Sequence, residues 1–309
     1  MHLLKSTGAA CLALLLTAAL VAPSAQADEA LFGYVYGVET LPKGRMEFQS
    51  AWTHRWDKGR GRFSADEVQT EFEYGVTDRF STSAYLMFLG LDHQGAFPAT
   101  AEDGEPLYPD REGSYFRGAK LQFKYNLASP YLNDGWGLAL MLEPQYIRRF
   151  RVDGARTRQW ELESGLLLQK NFLDDQLVLA YNATIARERR VLLEDGNVVE
   201  HEWEYSNSLG ASYRVAPKWF VGLEARHHMD VLQDPDSGDY GKNQYSFFAG
   251  PTLHYGTQGW WLTATYLRQW RGNPTYARSV GEVIGGVDDS LHLDENEKNE
   301  FRIKFGIDF

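Results

Sequence analysis

The sequence predicts an all-β chain closed into an antiparallel transmembrane barrel of about twelve strands, with short turns at one end and long loops at the other. Three observations lead there. Apolar and polar residues alternate with a period of two along most of the chain, as successive strand side chains must when they point to opposite faces. The connections between these segments are by turns short and longer. The chain also opens with the marks of export.

Lys5 supplies a positive start, Ala9 to Ala22 form an apolar run, and Ala25-Gln26-Ala27 has the small-x-small form that signal peptidase cuts. The expected parts are a signal peptide at 1–27, a periplasmic segment at 28–42 and an outer-membrane barrel at 43–309. The apolar run is short for a helical span, which needs about 20 residues. Cys11 lies inside that run, which argues against a lipid anchor. It is the only cysteine, so the exported chain has no disulfide and no thiol chemistry.

The chain carries a net charge of −11, which opposes nucleic-acid binding through phosphate neutralisation. It is polar on average (mean hydropathy −0.43) yet 14% aromatic. That mixture suits strands with one lipid face and one wet face, and it also suits a periplasmic all-β protein. The period decides between them.

In the last segment Phe301, Ile303, Phe305, Ile307 and Phe309 share one face, while Arg302, Lys304 and Asp308 take the other. In the first, Met46, Phe48, Trp52 and Trp56 alternate with Glu47, Gln49 and Arg55. Between them Phe72 and Tyr74 oppose Glu71 and Glu73, and Phe80, Ala84, Leu86 and Phe88 follow. Tyr115, Ala119, Leu121, Phe123 and Tyr125 then oppose Gly118, Lys120, Gln122, Lys124 and Asn126. Leu138, Leu140 and Leu142 oppose Gly137, Ala139 and Glu143, and Trp160, Leu162 and Leu166 oppose Gln159, Glu161 and Glu163. Tyr181 and Ile185 alternate with Asn182 and Glu188. Trp203, Tyr205 and Leu209 oppose Glu202, Glu204, Ser208 and Gly210, and Val221 and Leu223 oppose Glu224, Arg226 and His228. Leu253 and Tyr255 lead the next segment, and Leu262, Ala264 and Tyr266 the one after. Each repeat holds the roughly 9–11 residues that a tilted strand needs to cross a bilayer. Trp56, Trp136, Trp203, Trp219 and Trp270 fall near repeat ends, as interfacial girdles require.

Short links at 75–79, 128–135, 171–176, 215–218 and 256–259 alternate with mostly longer ones at 57–65, 90–113, 150–157, 190–201, 230–243 and 271–298. Short periplasmic turns and long external loops, with both termini periplasmic, are the outer-membrane pattern. Residues 28–42 either cap the periplasmic mouth or extend the first strand.

Gly33-Tyr34-Val35-Tyr36, Glu39-Thr40-Leu41-Pro42-Lys43-Gly44, Thr53-His54-Arg55-Trp56 and Glu73-Tyr74-Gly75-Val76-Thr77-Asp78-Arg79 resemble a bacterial family of exported outer-membrane barrel proteins, described only as a domain of unknown function. The resemblance spans most of the exported chain and is densest over 32–88. It implies the fold and the outer-membrane location, and brings no substrate, cofactor or active site. Phe305, Ile307 and Phe309 look like the C-terminal signal read by the barrel-assembly machinery during insertion.

Twelve-stranded barrels include a phospholipase with His and then Ser two residues on, on the lipid face of one strand, and this chain has no His-x-Ser sequence. It also lacks a Gly-x-Ser-x-Gly elbow and a His-Glu-x-x-His helix, so the reading is non-enzymatic, with no cofactor and no metal. His227 and His228 point to opposite faces of a strand and cannot share an ion. Asp288, Asp289, Asp294, Glu295 and Glu297 read as a solvated, mobile loop, since their spacing matches no calcium site.

The inward charges are the candidate site. Glu143, Glu161, Glu163, Glu202, Glu204 and Glu224, with Arg226 and His228, fall on strands five to nine. Lys120, Lys124, Arg302 and Lys304 fall on strands four and twelve, near Glu47, Glu71 and Glu73. One reading is a pore with an acidic wall and a mixed wall, which focuses its field on a small polar or cationic solute. The other is a salt-bridged lumen in a non-conducting scaffold that acts through its external loops. A lipid-modifying enzyme ranks third.

Overall fold

The computed structural model describes residues 31–97, 109–234, 237–273, 290–293 and 295–309. The signal-peptide reading, most of the last external link, Asp288, Asp289 and Asp294 lie outside them. The described strands are β1 (Met46–Trp56), β2 (Arg60–Thr77), β3 (Phe80–Phe97), β4 (Arg111–Ala128), β5 (Trp136–Arg149), β6 (Arg156–Phe172), β7 (Leu177–Leu192), β8 (Val198–Ala216), β9 (Trp219–Gln233), β10 (Tyr240–Gly256), β11 (Trp260–Gly272) and β12 (Asn299–Asp308). Each pairs antiparallel with its sequence neighbours, and β12 returns to β1 to close the barrel. At that seam Phe48 faces Ile307 and Trp52 faces Ile303. Closure leaves no bare sheet edge, the condition for crossing hydrocarbon.

The alternation becomes an inside and an outside. Along β6, exposed and buried positions alternate over most of the strand. The exposed set is apolar on every side of the barrel: Phe72, Leu86, Leu140, Trp160, Leu209, Leu223 and Leu262 all face outward. Aromatic and aliphatic groups in that arrangement make a surface suited to lipid, and the polar residues turn inward.

Two features differ from the sequence reading. The links are shorter than expected at the loop end, because the ladders continue past the apolar band. β1 joins β2 through residues 57–59 alone, with Asp57 and Gly59 at φ 69 and 88. Hairpins outside hydrocarbon satisfy their backbone equally well, so loop length is a poor measure of where the membrane ends. The second is a register shift between β3 and β4, where Met87 pairs with Gly118 and Phe88 with Phe116. The unpaired residue is Arg117. This bulge reverses the faces beyond it, so Tyr115 packs inward against Phe63, Ala65, Leu89 and Leu91 rather than outward as its parity predicts.

Residues 31–42 do not extend β1. They pass into the lumen at the turn end, where Leu31, Phe32, Val35 and Val38 are buried. Phe32 and Val35 pack with Val178, Ala180 and Phe220, and Val38 with Ala139, Met141 and Leu167. The wall makes room with glycine: a Cβ at Gly210 would lie 2.5 Å from the Phe32 ring, and one at Gly137 2.5 Å from Val38. At the other end, residues 290–293, 295–298 and 150–155 narrow the mouth. Lys58 holds the Leu293 and Asn296 carbonyls at 3.0 and 2.7 Å, and Arg151 reaches the Asn296 side chain at 3.1 Å.

Candidate functional site

Between the inserted segment and the narrowed mouth lies a cavity of about 300 Å³. Tyr34 and Tyr36 form part of its floor, Glu295 and Asn296 part of its roof, and inward strand side chains its wall.

On one side carboxylates are engaged by cations. Arg55 bonds Glu67 at 2.8 Å, Arg117 approaches the same carboxylate at 3.4 Å, and Arg226 meets Glu300 at 2.6 Å. Lys120 pairs with Glu143 at 3.0 Å, with Gln122 also donating to that carboxylate. Arg302 donates to Thr53 and to the Gly33 carbonyl, and its guanidinium lies 4.2 Å from the Tyr34 ring centre.

On the other side, over β6 to β9, carboxylates crowd. Glu161, Glu163, Glu188, Glu204 and Asp230 line the cavity. Arg190 serves Glu188 at 2.7 Å and Glu202 at 3.6 Å, and His228 meets Asp230 at 2.6 Å. No ion pair reaches Glu161, Glu163 or Glu204 among the described residues. Ligand atoms of Glu204, His228 and Asp230 lie within 4.8 Å of one another, and the same holds for Glu161, Glu188 and Glu204. His227 faces outward against Tyr245. The two adjacent histidines therefore do part, but His228 joins a group of cation-ligating character that no local spacing reveals.

The anticipated residues separate into three groups. Glu161, Glu163, Glu204, Arg226, His228, Lys120, Glu143 and Arg302 line the cavity, and Glu202 is buried behind it. Lys304 lines a smaller space of about 40 Å³ beside Tyr34 and Glu71, and Lys124 is buried near the turn end outside both. Glu224 has a different task. Its oxygens accept the Gly33 amide at 2.7 Å, the Tyr34 amide at 2.8 Å and the Thr265 hydroxyl at 2.8 Å. Asn182 takes the Tyr36 amide at 2.7 Å, Gln169 the Val38 amide at 3.2 Å, and Asn126 donates to the Val38 carbonyl at 2.9 Å. A segment without regular structure thus satisfies its backbone through wall side chains. Phe309 is exposed, and its amide joins the ladder through the Met46 carbonyl at 2.8 Å.

Glu295 and Glu297 are not part of a solvated loop. Glu295 lines the cavity, and Glu297 is buried against Arg55 at 3.1 Å. Burial, and then the neighbouring Glu300, push the Glu297 carboxyl up to about 7. At the rim, Arg111 bonds Glu194 at 2.6 Å and holds that carboxyl down at about 2. Parity carried to the strand ends reaches Arg190 and Asp230, which the inward set lacked. Arg117 was hidden by the bulge, and Tyr34 and Tyr36 carry no periodic signal.

These features define a class: a twelve-stranded barrel of the outer-membrane type with chain folded into its lumen. The chain belongs to DUF6662, a family of unknown function whose model matches residues 24–309. An outer-membrane channel from Pseudomonas putida F1 is similar in fold at a TM-score of 0.60, with 12% identity over 88% of this chain and 98% of that one. The NanC porin follows at 0.46, with 10% identity over 85% and 98%, and the KdgM porin with oligogalacturonate at 0.45, with 10% identity over 84% and 99%. No curated protein matches the sequence.

Proposed function

We propose that this barrel is an exported outer-membrane pore, closed in the conformation described, that passes small polar solutes and favours cations. The observation that carries the reading is the imbalance across the cavity. Glu67 and Glu300 are engaged by Arg55, Arg117 and Arg226, whereas Glu161, Glu163 and Glu204 face the cavity with no ion pair among the described residues. A low-dielectric wall focuses the field of such charges on whatever enters. The channel from Pseudomonas putida F1 lends the function class by its name alone. Phe305, Ile307 and Phe309 would serve insertion by the assembly machinery, and the outward band would meet outer-membrane lipid. No covalent step belongs to this reading.

Planar bilayers test it. Removing residues 28–42 should convert rare or absent conductance into steady cation-selective steps. Glu163→Gln with Glu204→Gln should lower the selectivity and keep the steps. Steps unaffected by both carboxylate changes would sink the acidic-wall reading. A barrel that stays silent after the deletion is the non-conducting scaffold.

A further inference from the structure

The strands that place carboxylates inside place arginines outside. Arg148 on β5, Arg158 on β6 and Arg189 on β7 are exposed, and Arg187 on β7 is half-buried. Register brings them into one patch. Trp160 faces Tyr146 on one side and Arg189 on the other, Arg189 faces His201, and Arg187 faces Trp203. The Arg187 guanidinium lies 5.0 Å from the Trp203 ring centre and 5.2 Å from that of Tyr240. Among the described residues no carboxylate pairs with any of the four. The nearby Arg156 is instead held by Glu194 at 3.4 Å.

The opposite side of the barrel is unlike this. There Asp66 bonds His54 at 2.9 Å and Asp92 bonds Arg62 at 2.9 Å, so these outward charges on β1 to β3 are paired, while among the described residues Arg268 on β11 stands alone over the Trp270 ring. A chain of net charge −11 thus gathers, among the described residues, four arginines without a carboxylate partner on the outward face of β5 to β7.

Depth identifies what that face meets. Trp160 and Phe172 mark the two ends of the exposed apolar run on β6. Their separation along a tilted strand is about 30 Å of membrane normal, the thickness of a hydrocarbon core. Arg158 and Arg189 stand at or just beyond Trp160, at headgroup depth on the loop side. With β1 beginning and β12 ending at the turn end, the loop side is the outer leaflet. Guanidinium forks match phosphate oxygens, and the aromatic rings beside them suit a headgroup at an interface. Below the arginines, Leu162 and Ile185 continue as exposed apolar surface, where acyl chains would lie.

We propose that Arg148, Arg158, Arg187 and Arg189, with Trp160 and Trp203, form a binding site for the phosphates of an anionic glycolipid in the outer leaflet, of the lipid A class. The continuity of the basic patch with the apolar band favours a lipid over a soluble anion.

The test uses the full exported chain in detergent, with lipid retention read by native mass spectrometry. The probes are bisphosphorylated lipid A, its dephosphorylated form and phosphatidylcholine. The wild type should retain the phosphorylated lipid selectively and lose it in high salt. Arg158→Gln with Arg189→Gln should weaken retention about thirtyfold, and either change alone about fivefold. Arg62→Gln, on the opposite side, should have no effect. A gel of boiled and unboiled samples checks that each variant is a closed barrel, and the single changes serve if the double one fails to fold. Equal retention of dephosphorylated lipid, or retention unchanged in folded variants, overturns the proposal. So does full competition by inorganic phosphate, which would place a free anion there.

Discussion

The two halves of the lumen are filled by different means. At the turn end the filling is chain: Phe32, Val35 and Val38 pack on a wall whose glycines and alanines leave space for them. At the loop end the filling is charge, arranged around a cavity of about 300 Å³. The first half is a small apolar core, framed by wall side chains that bond the segment's backbone. The second is a polar chamber where several carboxylates share too few cations. The difference shows that inward polarity alone does not make a barrel a passage. The lower half would have to yield before the upper half could conduct, and its strength is set by packing and by the Glu224 bonds.

The largest expected effect is at Phe32. Phe32→Ala leaves a void beside Gly210 and should weaken insertion of the segment by about 3–5 kcal/mol. Hydrogen exchange at residues 31–42 should rise while the barrel keeps its heat-modifiable migration. Unchanged exchange would mean that the lower half is not a packed core. Next is Glu224→Gln, which keeps the shape and removes the charge from two amide bonds, at about 3 kcal/mol. Faster exchange of the Gly33 and Tyr34 amides, with carboxylate-dependent selectivity intact, would separate this latch from the acidic wall.

The mouth should respond to pH with an effect of order 2 kcal/mol. Glu297 in the folded chain sits at about 7, above its ordinary value of 4.5. Its contribution to docking of residues 295–298 is therefore fully present below about 4.5 and lost as pH rises through 7. Protease access to that segment should increase over this window, and Glu297→Gln should flatten the response. The smallest effect is at Glu194, largely exposed and held at about 2. Its support for the rim is present above the ordinary carboxylate range and fades as pH falls toward 2, and solvent screening keeps it under about 1 kcal/mol. Glu194→Gln should lower the thermal midpoint slightly at neutral pH, and the difference should vanish in strong acid or high salt.

The strand count, the closing pair and the inner face of nearly every strand were legible because period-two alternation is a local property of the backbone. That alternation placed Glu161, Glu163 and Glu204 on the wall. It failed at Tyr115, where one extra residue at Arg117 reverses parity without altering composition. It also gave no sign that Glu297 would turn inward, since a loop has no period to read.

By itself the sequence determined the barrel, because the choice of which side chains meet lipid is written residue by residue along each strand. It also determined the excess of inward carboxylate over β6 to β9. Only the tertiary structure decided what those charges meet. Glu224 became a latch and Glu143 a partner of Lys120, while Glu163 was left facing open space. Partnership across a lumen depends on the stagger of twelve strands and on where an irregular segment comes to rest, and neither quantity is local to any stretch of chain.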